Sequence, residues 1–141
     1  MTVVQDRVNV YASGLGFVVV PVAGWATEQE TETVPVHRVS LGVGNATITD
    51  LAIALETARE AGQPEAPDAL EAWDGDDGRW WAHNLAFVKI TWYRDKVIFA
   101  PQEQTPEGDW QTRTSEELPA TTNADDLSRA LIRYLGERLH A

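Results

Sequence analysis

Hydrophobic and polar positions along the chain run through one order of periods twice. Val8, Val10 and Ala12 alternate with Asn9 and Tyr11, which predicts a short strand. Gly14-Leu15-Gly16 reads as a turn into the β-branched run Phe17-Val18-Val19-Val20, which Pro21 pushes towards an edge or a bulge. Residues 28–33 are too polar for a core and read as an exposed loop or strand end. Val34, Val36, Val39 and Leu41 around His37 suggest a third strand, stopped by Gly42 and Gly44. From Asn45 the period lengthens to about 3.6. Ile48, Leu51, Ala52, Leu55 and Ala58 make one apolar stripe, Thr47 with Asp50 suggests the N-terminal cap, and Gly62 with Pro64 supplies the stop.

Strand periodicity returns in Phe87 to Tyr93 and Val97 to Ala100, on either side of Arg94-Asp95-Lys96. A two-residue turn at Arg94-Asp95 or at Asp95-Lys96 puts Val88, Ile90, Trp92, Val97 and Phe99 on one face in both registers. Trp110 to Thr114 reads as a weaker strand. Thr122, with Asp125 three residues on, predicts the cap of a second helix whose stripe is Leu127, Ala130, Leu131, Tyr134 and Leu135. The helices share the string Asp50-Leu51-x-x-Ala54-Leu55 and Asp126-Leu127-x-x-Ala130-Leu131. The expectation is a single α+β domain: an antiparallel or mixed sheet of about six strands with two amphipathic helices packed on it. Two strands-then-helix halves, 1–62 and 80–141, would be joined by the segment 63–79, read as a loop on the strength of its Pro, Gly and acidic residues.

Composition narrows the partners. The 141 residues hold 22 Asp and Glu against 11 Lys and Arg, a formal net charge of -11. That balance argues against nucleic-acid and anionic-membrane binding, both of which need a basic surface. Six Trp, three Tyr and three Phe argue against a disordered acidic tail. The absence of cysteine excludes disulfides, thiolate metal sites and a Cys nucleophile. The N-terminal residues lack a basic stretch followed by a continuous apolar run, and Gly14 to Ala26 is too short and too interrupted to span a bilayer, so a cytoplasmic protein is expected.

Motifs for catalysis are missing from the pattern. His37, His83 and His140 lie far apart, the serines have no recognisable partner, and Gly14-x-Gly16 and Gly42-x-Gly44 lack the rest of a phosphate-binding fingerprint. Asp74-Gly75-Asp76-Asp77-Gly78 fails as a calcium loop because Leu85 stands at the twelfth position, where a bidentate Glu is required. No catalytic residue, metal or cofactor is therefore expected. Trp73, Trp80 and Trp81, at or beside the acidic segment, keep a carbohydrate- or peptide-binding module open as an alternative, and a metal-assisted hydrolase on the acidic loop is a further one.

The string Trp80-Trp81-x-x-x-Leu85-Ala86-Phe87-Val88-Lys89-Ile90, then Val97-Ile98-Phe99-Ala100-Pro101, Gly108-Asp109-Trp110 and the closing Asp125-Asp126-Leu127-x-x-Ala130-Leu131, resembles immunity proteins of bacterial contact-dependent growth inhibition systems. The likeness runs from Trp80 to Leu139. It implies a small cytoplasmic α+β protein, not an enzyme, that binds and blocks the C-terminal toxin domain of a cognate exported protein, often a nuclease. Charge distribution agrees independently, since a nuclease surface is basic and a carboxylate-rich face complements it. Between Glu56 and Asp77 stand eight acids against Arg59 alone, a net of -7. The expected toxin-binding residues are Glu65, Asp68, Glu71, Trp73, Asp74, Asp76 and Asp77, with Trp73 as an apolar anchor. The alternative for this segment is a solvated linker whose charge serves solubility.

Overall fold

A computed structural model of the protein describes residues 4–13, 16–25, 31–32, 37–40, 46–62, 84–104, 106–107, 110–112 and 115–139. The strands are β1 (Val4–Ser13), β2 (Gly16–Ala23), β3 (Thr31–Glu32), β4 (His37–Ser40), β5 (Asn84–Tyr93), β6 (Lys96–Gln104), β7 (Trp110–Thr112) and β8 (Glu116–Pro119). The helices are α1 (Ala46–Ala61) and α2 (Ala124–Leu139). All pairings among the described residues are antiparallel, so of the two expected arrangements the described sheet takes the antiparallel one. The sheet is six strands wide in the order β3-β2-β1-β5-β6-β7, with β4 also on the edge of β2 and β8 also on the edge of β6.

The two halves repeat one topology. Each is a hairpin whose second strand carries two short outer strands, followed by a sixteen-residue helix. An offset of 80 carries β1 onto β5 end for end, and Gly16, where β2 begins, onto Lys96, where β6 begins. It also carries Val8 paired with Pro21 onto Val88 paired with Pro101. Among the described residues, each proline sits in a gap on the outer edge. On β2 that gap lies between the stretch held by β4 (Gly16 to Val19) and the stretch held by β3 (Val22 and Ala23). On β6 it lies between Lys96 to Phe99, held by β8, and Gln102 to Gln104, held by β7. A proline lacks the N–H of a ladder, so a break in outer pairing is where a sheet tolerates one. Pro21 thus neither ends β2 nor bulges it.

One apolar core lies between the sheet and the helices. Val8, Val10, Phe17 and Val19 from the first hairpin meet Val88, Ile90, Trp92, Val97 and Phe99 from the second, under Leu51, Leu55, Leu127 and Leu131 of the helices. The single-face arrangement expected for the second hairpin is therefore found, with its turn at Arg94-Asp95. Val18, Val20 and Val22, which point to the other face, are closed to solvent as well. Burial on both faces explains why β2 reads as a continuous apolar run instead of an alternation. At the end of α1, the Gly62 N–H donates to the Ala58 carbonyl at 3.0 Å. A Cβ on Gly62 would stand 2.8 Å from the Val22 carbonyl oxygen and 3.1 Å from the Trp25 ring, so glycine permits the helix end to close on β2.

Both expected caps shift. Thr47 lies inside the first turn of α1 and is buried, because the helix begins at Ala46. On α2 the cap is Asn123, whose Oδ1 accepts from the Asp126 N–H at 2.8 Å, while Thr122 donates its hydroxyl to the Pro119 carbonyl and closes the preceding turn. Strand β8, absent from the sequence expectation, carries one partly buried residue, Leu118, among exposed neighbours. It is an edge strand held by its ladder to β6. No described helix is long and apolar enough to cross a membrane.

Candidate functional site

The seven expected toxin-binding residues, Glu65, Asp68, Glu71, Trp73, Asp74, Asp76 and Asp77, all lie outside the described residues, as do Trp80 and Trp81. Of the acidic stretch that begins at Glu56, the described part includes Glu56, Arg59 and Glu60, on the last two turns of α1.

These three residues divide by sign. Glu56 and Glu60 are exposed and, at i and i+4, share the outer side of the helix. Arg59 turns away. Its Nη2 stands 2.9 Å from Asp6 Oδ2, its Nε donates to the same oxygen at 3.2 Å, and its guanidinium lies 4.4 Å from the centre of the Trp92 ring. The one cation of the stretch is thereby committed to a contact with β1 and β5, and among the described residues Glu56 and Glu60 on the outer face have no ion-pair partner.

Across from them, α2 begins. Glu56, Thr57 and Glu60 form one wall of an interhelical groove of about 450 Å³, and Asn123, Ala124 and Asp125 form the other. Among the described residues, three carboxylates and no cation line it. None of the three makes a hydrogen bond or ion pair among the described residues. At its border Ile53 is 60% exposed, the one large hydrophobic residue so exposed among those described. An apolar side chain ringed by carboxylates gives a basic partner both a steering field and a contact that excludes water. Glu56 and Glu60 were within the counted acidic stretch, but Ile53 and Asp125 were not in the expected site. The signal for Ile53 was its place on the polar side of the α1 stripe, where an isoleucine has no core to enter.

Two further grooves flank the helices in equivalent places. In the first half, β4 and α1 enclose about 350 Å³, bordered by His37, Arg38 and Val39 of the strand and by Asp50, Ile53, Ala54 and Thr57 of the helix. In the second, β8 and α2 enclose about 790 Å³, with Glu116, Leu118, Asp126, Arg129, Ala130 and Arg133 in the matching positions.

No protein-family model matches the sequence, and no curated protein matches it either. Two solved structures share the fold over nearly the whole length. A protein of unknown function from Neisseria meningitidis superimposes with a TM-score of 0.66 at 14% identity, covering 94% of each protein. A member of the CdiA-CT/CdiI toxin and immunity complex from Yersinia pseudotuberculosis superimposes with a TM-score of 0.65 at 15% identity, over 94% of this protein and 96% of that one. This architecture is therefore one that also occurs in a toxin and immunity complex.

Proposed function

We propose that the protein is an immunity factor that binds and neutralises the toxin domain of a cognate exported protein by stoichiometric association. The observation that carries this reading is the end-to-end likeness of fold to a member of a toxin and immunity complex. The chemistry of the α1 and α2 surface supports it: Glu56, Glu60 and Asp125 stand around exposed Ile53 with no ion pair among the described residues, while Arg59 is drawn inward by Asp6. The partner of such a surface is a basic domain, and a nuclease is basic because its substrate is a polyanion. In this reading the acids that follow in the sequence, Glu65, Asp68, Glu71, Asp74, Asp76 and Asp77, extend the contact, with Trp73 as anchor.

The test is co-purification with the small basic domain that ends a large exported protein encoded beside this one, followed by binding kinetics. Association is expected to slow steeply as ionic strength rises, with dissociation changing less. Changing Asp74, Asp76 and Asp77 together to Lys is expected to weaken the complex by well over tenfold. A loss within about threefold, under about 1 kcal/mol, removes the 65–77 segment from the interface. Absence of any complex with that domain removes the immunity reading itself.

A further inference from the structure

The larger groove, between β8 and α2, differs in charge from the acidic one, since Glu116 and Asp126 are balanced there by Arg129 and Arg133. Phe99, Pro101, Leu118 and Ala130 give it an apolar lining, and Arg129 and Arg133 stand exposed along it. Four residues apart on one helix, the two guanidiniums lie on the same side about one turn from each other. Neither makes a hydrogen bond or ion pair among the described side chains, although the protein carries twice as many acids as bases. The fold does not require arginine here. At the equivalent places in the first half the scaffold holds Ile53 and Thr57, beside the same pattern of Asp50 and Ala54 for Asp126 and Ala130.

We propose that this groove receives a segment of a protein partner in which an apolar side chain stands next to a single carboxylate, from Asp, Glu or the partner's own C-terminus. The apolar side chain packs on Phe99, Pro101 and Leu118, and the carboxylate accepts from Arg129 and Arg133, whose planar forks suit two-point recognition. Glu116 and Asp126 also border the groove and limit the charge it accepts. A polyanion such as nucleic acid is repelled by them, whereas one carboxylate placed on the two arginines is not.

The experiment is an amide NMR titration of the isotope-labelled full-length protein with three probes: N-acetyl-Phe-Asp amide, N-acetyl-Phe-Lys amide and sodium acetate. The Phe-Asp probe is expected to shift Leu118, Ala130 and Arg133 at millimolar concentration, at least about tenfold more tightly than the Phe-Lys probe, a difference of about 1.4 kcal/mol. Both arginines are exposed, so the double variant Arg129→Glu with Arg133→Glu keeps the fold, checked by unchanged amide positions in β1 and β5, and should reverse the order of the two peptides. The proposal is overturned if neither peptide shifts these residues, if Phe-Lys binds as well as Phe-Asp, if acetate alone gives the same response at equal concentration, or if the double variant keeps its preference for Phe-Asp.

Discussion

Beside its fourth strand the first half of the protein encloses about 350 Å³, bordered by Ile53 and Thr57; the second half encloses about 790 Å³ in the matching place, bordered by Arg129 and Arg133. Beneath these grooves the halves agree. Val8 answers to Val88, Val10 to Ile90, Val19 to Phe99, Leu51 to Leu127 and Leu55 to Leu131, all of them buried. The shared positions face the common core, where only an apolar residue of suitable volume is tolerated. The divergent positions lie on the outer turns of the helices, where packing imposes little. Two copies of one topology thus offer a partner two unlike surfaces at matching places, a small groove beside exposed Ile53 and a larger one with an apolar lining bordered by Arg129 and Arg133.

If the halves share one core, removing the same buried side chain from either should have the same outcome. Leu51→Ala and Leu127→Ala are each expected to cost about 2–5 kcal/mol, because both leucines are essentially inaccessible and leave a cavity. Urea unfolding checks this, and each variant should still melt in a single transition. A two-step transition for either would mean that the halves are separate units. A smaller difference between the halves lies after the helices, where α1 is followed by Gly62 and α2 by His140. Gly62→Ala is expected to lower stability by about 1–3 kcal/mol, since its Cβ would press on the Val22 carbonyl and the Trp25 ring. A gain in melting temperature, the usual outcome where a helix-terminal glycine has room, would show that α1 does not close tightly on β2. Smaller again is the effect of Asn123→Ala, at about 1 kcal/mol from the lost cap of α2. Thr122→Ala should cost less than Asn123→Ala in the same thermal melts, which separates the cap from the residue that closes the preceding turn.

Periodicity made the second hairpin and both helices legible, because Val88, Ile90, Trp92, Val97 and Phe99 alternate and Leu51, Leu55, Leu127 and Leu131 recur at helical spacing. It could not show β8, since Glu116-Glu117-Leu118-Pro119 has a single partly buried apolar side chain, Leu118, and is held by backbone bonds to β6 instead of by burial. Pro21 was legible as an interruption, but its harmlessness depends on where β3 and β4 end, a long-range fact. The α2 cap was missed by one position because Thr122 and Asn123 are both good capping residues and only the hydrogen bonds distinguish them. Charge counting found the acidic stretch that includes Glu56 and Glu60. It could not foresee that Arg59 would be taken up by Asp6, 53 positions away, or that Asp125 would complete the groove.

The pairing of β1 with β5 at the middle of the sheet joins strands 80 positions apart in the sequence. On the ribosome, at about 5–20 residues per second, β1 waits roughly 4–16 s for its inner neighbour to be synthesised. Through that interval the first hairpin has its outer edge protected by β3 and β4, while the inner edge of β1 is a bare row of backbone donors and acceptors. Folding of the whole sheet is therefore set by one late, non-local closure, and the nascent first half is the species on which chaperones and misassembly compete.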